Sequence, residues 1–120
     1  MASHGSAAKH LLGADSGIVD LVNQDWETAP ITSRLHALLA IADKVRGDPT
    51  TVAPADIEAA RAEGADDKAI HDTVLVAAAF SMFTRYVDGL GTWTPRELSA
   101  FDEAGRRLAE QGYVRPAPSS

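Results

Sequence analysis

The stretch DDKAIHDTVLVAAAFSMFTRYVDGLG, residues 66–91, decides the fold of this chain. Asp66 is a typical helix N-cap residue, and Gly89 and Gly91 are typical of a helix end. The pattern therefore predicts one long helix over residues 67–88. Its middle, residues 74–83, is apolar on nearly every side, and a helix that is apolar all round is usually buried. We expect this helix in a central position or at a subunit interface, and the sequence favours the two equally.

Helices separated by glycine and proline account for the rest of the chain, because no stretch shows the alternating pattern of a strand. The other predicted helices cover residues 2–12, residues 17–26, a segment capped by Thr32 or Ser33 and ended by Gly47, residues 54–64, and a segment from Thr94 to Gly112. The last of these starts with a capping box, Thr94–Glu97. The sequence predicts an all-α fold of about six helices, with one domain over residues 1–112 and a flexible tail over residues 113–120.

Charge and hydropathy exclude several classes of partner. The 120 residues include 11 Lys and Arg against 17 Asp and Glu, which gives a net charge of −6. A general nucleic-acid binder is basic, and an anionic membrane surface attracts a polybasic patch. The longest apolar run, Val74–Phe80, is far shorter than the roughly 20 residues of a membrane span. With no signal-peptide pattern at the N-terminus, we expect a cytoplasmic protein that binds neither nucleic acid nor membrane.

The residue types also limit the chemistry of the chain. Cysteine is absent, which excludes disulfides, thiolate ligands and thiol nucleophiles within the chain. The four histidines, His4, His10, His36 and His71, do not have the spacing of a zinc motif. The acidic residues at the start of the long helix are explained by the positive end of its dipole. We therefore predict no metal site and no cofactor.

Arg85 is the least ordinary charged residue, because it follows the apolar run and has Phe83, Tyr86 and Val87 beside it. A partly buried arginine needs a carboxylate or carbonyl partner. Two roles are open for Arg85: a clamp for an anion or substrate, or one half of a structural salt bridge between two helices. The structural role is favoured. Arg85 and Asp88 are also spaced to pair on one helix face, as are Asp43 and Arg46.

A family resemblance rests on residues between Thr32 and Gly91. The matching features are the helix Leu35–Val45, Asp48-Pro49, the alanine-rich segment Val52–Gly64, the acidic segment Asp66–Asp72, and Phe80, Phe83, Arg85 and Asp88–Gly91. Trp26–Pro30 precedes them. Together they resemble the C-terminal half of AhpD-like proteins, in the alkylhydroperoxidase and carboxymuconolactone decarboxylase superfamily, and most closely its peroxidase-related branch. The resemblance covers about residues 1–95 and implies a partial AhpD-like helical fold.

Redox-active members of this family carry Cys-x-x-Cys, followed three residues later by a histidine. Residues 1–5, Met-Ala-Ser-His-Gly, match the segment just after the second cysteine, so the resemblance implies that His4 is the proton-relay histidine. Both cysteines and the upstream glutamate of the family are missing here. The family's peroxidase chemistry needs a thiolate and a resolving thiol, whereas a histidine only moves protons for that attack. We therefore expect an antioxidant-family chain that is inactive as a peroxidase on its own.

The resemblance leaves three interpretations open. Met1 is an internal methionine of a longer protein, or the chain is a truncated relative kept as an oligomeric or ligand-binding module. The third is a cysteine-independent carboxymuconolactone decarboxylase that uses His4, His36 and Arg85. The resemblance also implies a homo-oligomer that completes the fold, with a hydroperoxide or another small molecule as its ligand. Arg85, Asp88 and Gly89 are interpreted as structural positions of the family pattern.

Overall fold

The computed structural model describes residues 2–91 and 98–114, and these residues form six α-helices and no strand. The helices are α1 (Ala2–Leu12), α2 (Gly17–Gln24), α3 (Ser33–Gly47), α4 (Pro54–Ala62), α5 (Asp67–Leu90) and α6 (Asp102–Gln111). Short 3-10 turns precede α2, α4 and α6, at Gly13–Asp15, Pro49–Thr51 and Leu98–Phe101. The prediction of an all-α fold with about six helices is confirmed.

The ends of the helices differ from the predictions in three places. Helix α2 ends at Gln24, two residues before the predicted Trp26. Helix α5 continues to Leu90, because Gly91 takes the left-handed conformation (φ +60°) that ends it. Helix α6 starts only at Asp102, after the 3-10 turn. The predicted capping box at residues 94–97 and the tail from residue 115 onward lie outside the described residues.

The chain forms two compact units. The middle unit, residues 25–92, contains α3, α4 and α5, and the terminal unit, residues 1–24 and 93–120, contains α1, α2 and α6. The expectation of one domain over residues 1–112 stays a prediction, as does the flexibility of the tail.

The core of the middle unit lies where α3 packs against α4 and α5. Ile41 on α3 and Ala60 on α4 are fully buried, and Ala65 and Ile70 join them. Partly buried apolar residues surround this cluster: Ala37, Leu38, Val45, Val52, Ile57, Ala69 and Val74. The small side chain of Ala60 lets α4 lie close to Ile41, so one large aliphatic side chain fills the centre of the unit.

Side chains at the starts of the helices fix where they begin. The Thr32 hydroxyl accepts a hydrogen bond from the Leu35 amide at 3.1 Å, and the Asp66 carboxylate accepts one from the Ala69 amide at 2.8 Å. Each bond satisfies an amide that has no partner within its own helix. The sequence-based choice of Asp66 as a cap is confirmed, and of the two candidates at α3, Thr32 is the cap.

In the terminal unit, α1 packs closely against α6 at two small residues. Ala7 is buried on α1, and Gly105 is buried on α6. A Cβ atom on Gly105 would overlap the Ser6 side chain and lie 2.9 Å from the Ala7 amide nitrogen. Only glycine fits a backbone approach this close. Lys9 on α1 also pairs with Asp20 on α2, at 2.6 Å.

The expected central position of α5 is wrong. Ile70 is the buried residue on the described helix, whereas the large side chains Leu75, Val76, Met82 and Phe83 are exposed. Part of the reason is length: α3 has 15 residues and α5 has 24, so at about 1.5 Å per residue α3 is roughly 14 Å too short to cover the far end of α5. The other part is direction, because Leu75 and Val76 point away from the side of α5 on which Ile70 packs into the core. The alternative, a subunit interface, stays a prediction.

Candidate functional site

His4 on α1 is the residue that the family resemblance assigns to proton transfer. Its Nε2 atom lies 2.8 Å from the Tyr113 hydroxyl oxygen, and the two ring centroids are 6.0 Å apart. Tyr113 follows Gly112, whose positive φ (+65°) turns the chain at the end of α6. The turn at Gly112 and the packing of α6 on α1 therefore bring together residues that are 109 positions apart in sequence.

The environment of His4 favours its neutral form. Partial burial lowers the pKa of the imidazole below its usual value, because the charged form loses hydration. The hydrogen-bond partner of the ring is the phenol hydroxyl of Tyr113. A phenol hydroxyl exchanges a proton but does not attack a peroxide at neutral pH. Since the sequence contains no cysteine, His4 and Tyr113 together form a hydrogen-bonded pair without a thiol nucleophile.

A second polar contact joins the same two helices. The Ser6 hydroxyl donates to the Asp102 carboxylate at 3.3 Å, beside the close contact between Ser6 and Gly105. The sequence pattern predicts neither Tyr113 nor Asp102 as a site residue, and residue 113 belongs to the predicted flexible tail. The only sequence signal was Gly112, which marks the end of a helix but not the direction in which the chain continues.

Of the other histidines, His10 lies on α1 with His4, and His36 and His71 belong to the middle unit. His10 and His71 are exposed, and His71 Nδ1 lies 3.4 Å from the Asp72 carboxylate. His36 is partly buried on α3, and its Nε2 atom has no hydrogen-bond partner among the described residues. In residues 2–91 and 98–114, no three His, Asp or Glu side chains are arranged to hold a metal ion. Of the three residues invoked for a decarboxylase, His4 belongs to the terminal unit, and His36 and Arg85 belong to the middle unit.

The prediction that Arg85 is partly buried is wrong. The side chain is exposed, and its Nη1 atom donates to the Ser81 carbonyl oxygen one turn back on the same helix, at 3.4 Å. An exposed guanidinium is solvated and needs no buried partner. None of the ion pairs in the described part of the chain includes Arg85, whereas the predicted pair of Asp43 and Arg46 is present at 2.6 Å. Arg85 is therefore neither a bridge between helices nor an enclosed anion clamp in this structure.

The most enclosed ion pair joins α3 to α4 and was not found from the sequence. The Lys44 ammonium donates to both carboxylate oxygens of Asp56 at 2.8 Å, and the Asp56 side chain is only 18% exposed. Asp56 also accepts a hydrogen bond from the Ala53 amide at 2.7 Å. The bond from Lys44, followed by that from Ala53, lowers the pKa of Asp56. These bonds link the start of α4 to Lys44 on α3 and to the backbone at the N-cap residue of α4, Ala53, which indicates a structural role for Asp56.

The largest apolar feature on the surface of the middle unit is on α5. We call it the α5 stripe, and it consists of Leu75, Val76, Ala79, Met82, Phe83 and Tyr86. Its five large side chains are between 55% and 67% exposed, and Ala79 is partly exposed. No ionisable residue occurs between Thr73 and Thr84. Contiguous exposed apolar surface of this kind is typical of an interaction site.

Comparison with known proteins identifies no relative of this chain. No protein-family model matches the sequence, and no curated protein or solved structure gives a significant match. None of the described helices has the length and apolarity needed to cross a membrane.

Proposed function

We propose that this chain is a catalytically incomplete AhpD-like protein, a helical module that acts by association and does not reduce hydroperoxides by itself. The observation that carries this proposal is the pairing of His4 with Tyr113 in a chain that has no cysteine. The family resemblance supplies the AhpD-like part of the proposal, and the exposed α5 stripe supports the association.

Peroxide reduction in this family begins at the peroxide oxygen. A thiol peroxidase attacks this oxygen with a thiolate, and a second thiol then resolves the sulfenic acid. His4 can accept or return a proton, but proton transfer alone adds no electrons to the peroxide. Tyr113, Ser6 and Asp102, the polar groups described at this end of α1, supply no thiolate either. In this proposal, the His4–Tyr113 bond holds α1 to the end of α6.

The proposal places the protein in the cytoplasm as a homo-oligomer, and a hydroperoxide or another small molecule is its ligand class by resemblance. The support for an oligomer is physical. Large apolar side chains left in water on one helix face lose the stabilisation that burial would give, about 25 cal/mol per Å². A partner surface that covers the α5 stripe would restore this stabilisation.

A peroxide-consumption assay tests the missing activity. The purified chain is incubated with hydrogen peroxide or cumene hydroperoxide and excess dithiothreitol, and the remaining peroxide is measured over time. We expect the rate of the protein-free control for the native chain, for His4→Ala and for the matched control His10→Ala. Peroxide turnover that His4→Ala abolishes and His10→Ala retains would show that His4 belongs to a working site, and the proposal would be wrong.

A further inference from the structure

We infer that the α5 stripe pairs with the α5 stripe of a second copy of this chain, with the two helices antiparallel. This inference deepens the proposed function, on which it rests, by giving the arrangement of the two copies: which residues of the stripe meet and in which direction the helices run.

The spacing of the stripe residues is that of a coiled-coil seam. Leu75, Ala79, Met82 and Tyr86 follow one another at intervals of four, three and four residues. Apolar residues at this spacing keep one face of a helix turned toward a second helix. Val76 and Phe83 each follow a seam residue directly and widen the apolar face on one side. The seam therefore has the length of about two heptads, with large flanking side chains.

The stripe lies on the side of α5 that the middle unit does not use. Ile70 and Val74 pack into the core around Ile41. At 100° per residue, Ala79 points about 180° away from Ile70, and Leu75 and Tyr86 point in nearly the same direction as Ala79. A second helix can therefore cover the stripe without disturbing the core contacts of α5.

Charge favours a second copy of the chain as the occupant. The stripe offers no charged side chain to an acidic or basic partner, and the charges nearest to it in sequence are Asp72 before it and Arg85 and Asp88 near its far end. The identical stripe of another copy matches it in length and polarity. Toward the N-terminus of α5, Lys68 and Asp72 occupy the next two positions at the same spacing. Their side chains form an ion pair with each other within the helix.

The ends of the seam and the sizes of its residues indicate the antiparallel direction. Parallel pairing would place Asp72 against the partner's Asp72, and Ala79 against the partner's Ala79 next to a pair of methionines. Antiparallel pairing about a point between residues 79 and 82 places Leu75 against the partner's Tyr86 and Ala79 against the partner's Met82. Small then meets large in the inner layers, and Asp72 faces the partner's Gly89 rather than a like charge.

Sedimentation velocity and light scattering of the full chain test the pairing. We expect the native chain to approach twice its mass of 12.7 kDa as the concentration rises. Met82→Glu should weaken association by about tenfold or more, because the pair would bury an unpaired carboxylate. The matched control is Thr84→Glu, an exposed position on the other side of the same helix, which should associate like the native chain. Circular dichroism establishes that both variants are folded.

Disulfide trapping tests the direction, and the natural absence of cysteine makes each introduced thiol unique. We expect an equimolar mixture of Leu75→Cys and Tyr86→Cys chains to form a disulfide-linked pair under mild oxidation, and each variant alone to stay unlinked. Cross-linking of Leu75→Cys with itself would show parallel helices. The absence of any cross-link would show that this register is wrong.

Two results would overturn the pairing itself: a native chain that is monomeric at every concentration, and a Met82→Glu variant that associates as strongly as the native chain. In either case the stripe would be available to a different protein. The peroxide assay gives a separate readout, since turnover would overturn the proposed lack of activity whatever the oligomeric state.

Discussion

The helices of the middle unit and those of the terminal unit are packed by different kinds of contact. In the middle unit, the large side chain of Ile41 is fully buried between helices, and aliphatic residues surround it. In the terminal unit, the described contact between α1 and α6 uses the small residues Ala7 and Gly105, together with polar bonds from His4 and Ser6. Burying a large aliphatic side chain contributes about 1.5–3 kcal/mol, whereas a close backbone contact has little side-chain area to bury.

This difference shows which changes each unit tolerates. The middle unit is sensitive to loss of volume, since removing part of Ile41 leaves a cavity. The terminal unit is sensitive to added volume, because a single methyl group on Gly105 overlaps atoms of α1. Loss of carbon atoms at Ile41 and addition of a carbon atom at Gly105 should therefore each destabilise the unit in which it occurs.

The largest expected effect is that of Ile41→Ala. Loss of the buried side chain should lower the free energy of unfolding by about 2–5 kcal/mol, because the site is enclosed on all sides. Urea denaturation followed by circular dichroism measures the change. The control is Leu11→Ala, an exposed leucine of α1, which should shift stability by less than about 0.5 kcal/mol. Equal losses in the two variants would contradict the assigned core.

Gly105→Ala is the matching test for the terminal unit. The added Cβ atom would meet Ser6 and the Ala7 backbone, so we expect a loss of about 1–3 kcal/mol despite the better helix propensity of alanine. Gly5→Ala on α1 is the matched control, since nothing lies within 4 Å of its Cβ position, and it should gain about 0.5–1 kcal/mol. Thermal melts of the two variants should move in opposite directions. A Gly105→Ala variant that melts above the native chain would argue against the close contact.

Thr32→Ala tests the local signal that starts α3. The Leu35 amide would lose its side-chain acceptor, so stability should fall by about 1 kcal/mol. Ser33→Ala is the control, because Ser33 is already the first residue of the helix, and we expect a smaller change. Urea titrations of both variants give the comparison, and a larger loss for Ser33→Ala would reassign the cap.

Acid should affect the terminal unit first, through His4. Burial lowers the pKa of His4 below 6.5 in the folded chain, so the unfolded chain binds the proton more readily. The folded state is therefore favoured above about pH 6.5 and loses that advantage as the pH falls from 6.5 toward the folded pKa. Urea titrations at pH 7.5 and 5.5 should show a small loss of stability that His4→Gln reduces. No difference between the native chain and His4→Gln would remove His4 as the cause.

In the middle unit, Asp56 should make stability depend on pH in a lower pH range than His4 does. The bond from Lys44 lowers the pKa of Asp56 below 3.8, so its stabilisation is present above about pH 3.8 and is lost as the pH falls below that value. Stability measured between pH 5 and pH 2 should fall less steeply for Asp56→Asn than for the native chain. An Asp56→Asn variant whose stability falls as steeply with acid as that of the native chain would contradict this role of Asp56.

Much of the helical structure was predictable because helix ends depend on contacts a few residues apart. Thr32 and Asp66 each bond to an amide three residues ahead, and Gly91 ends α5 through its own backbone conformation. The candidate site was less predictable. His4 was singled out by resemblance, but Tyr113, its partner in the structure, lies 109 residues away and was assigned to the tail. The ion pair of Lys44 and Asp56 was missed because no helix spacing connects residues 12 positions apart.

By itself, the sequence determined that the chain is helical, where most helices begin, and that no thiol chemistry can occur within it, because propensity, capping and residue type act locally. Only the tertiary structure decided that Arg85 is exposed, that Gly105 lies against Ser6, and that the α5 stripe is left uncovered. The physical reason is that the middle of α5 is apolar on nearly every side, so its pattern identifies no buried face. The contacts of Ile70 and Val74 with the core settle which side is covered.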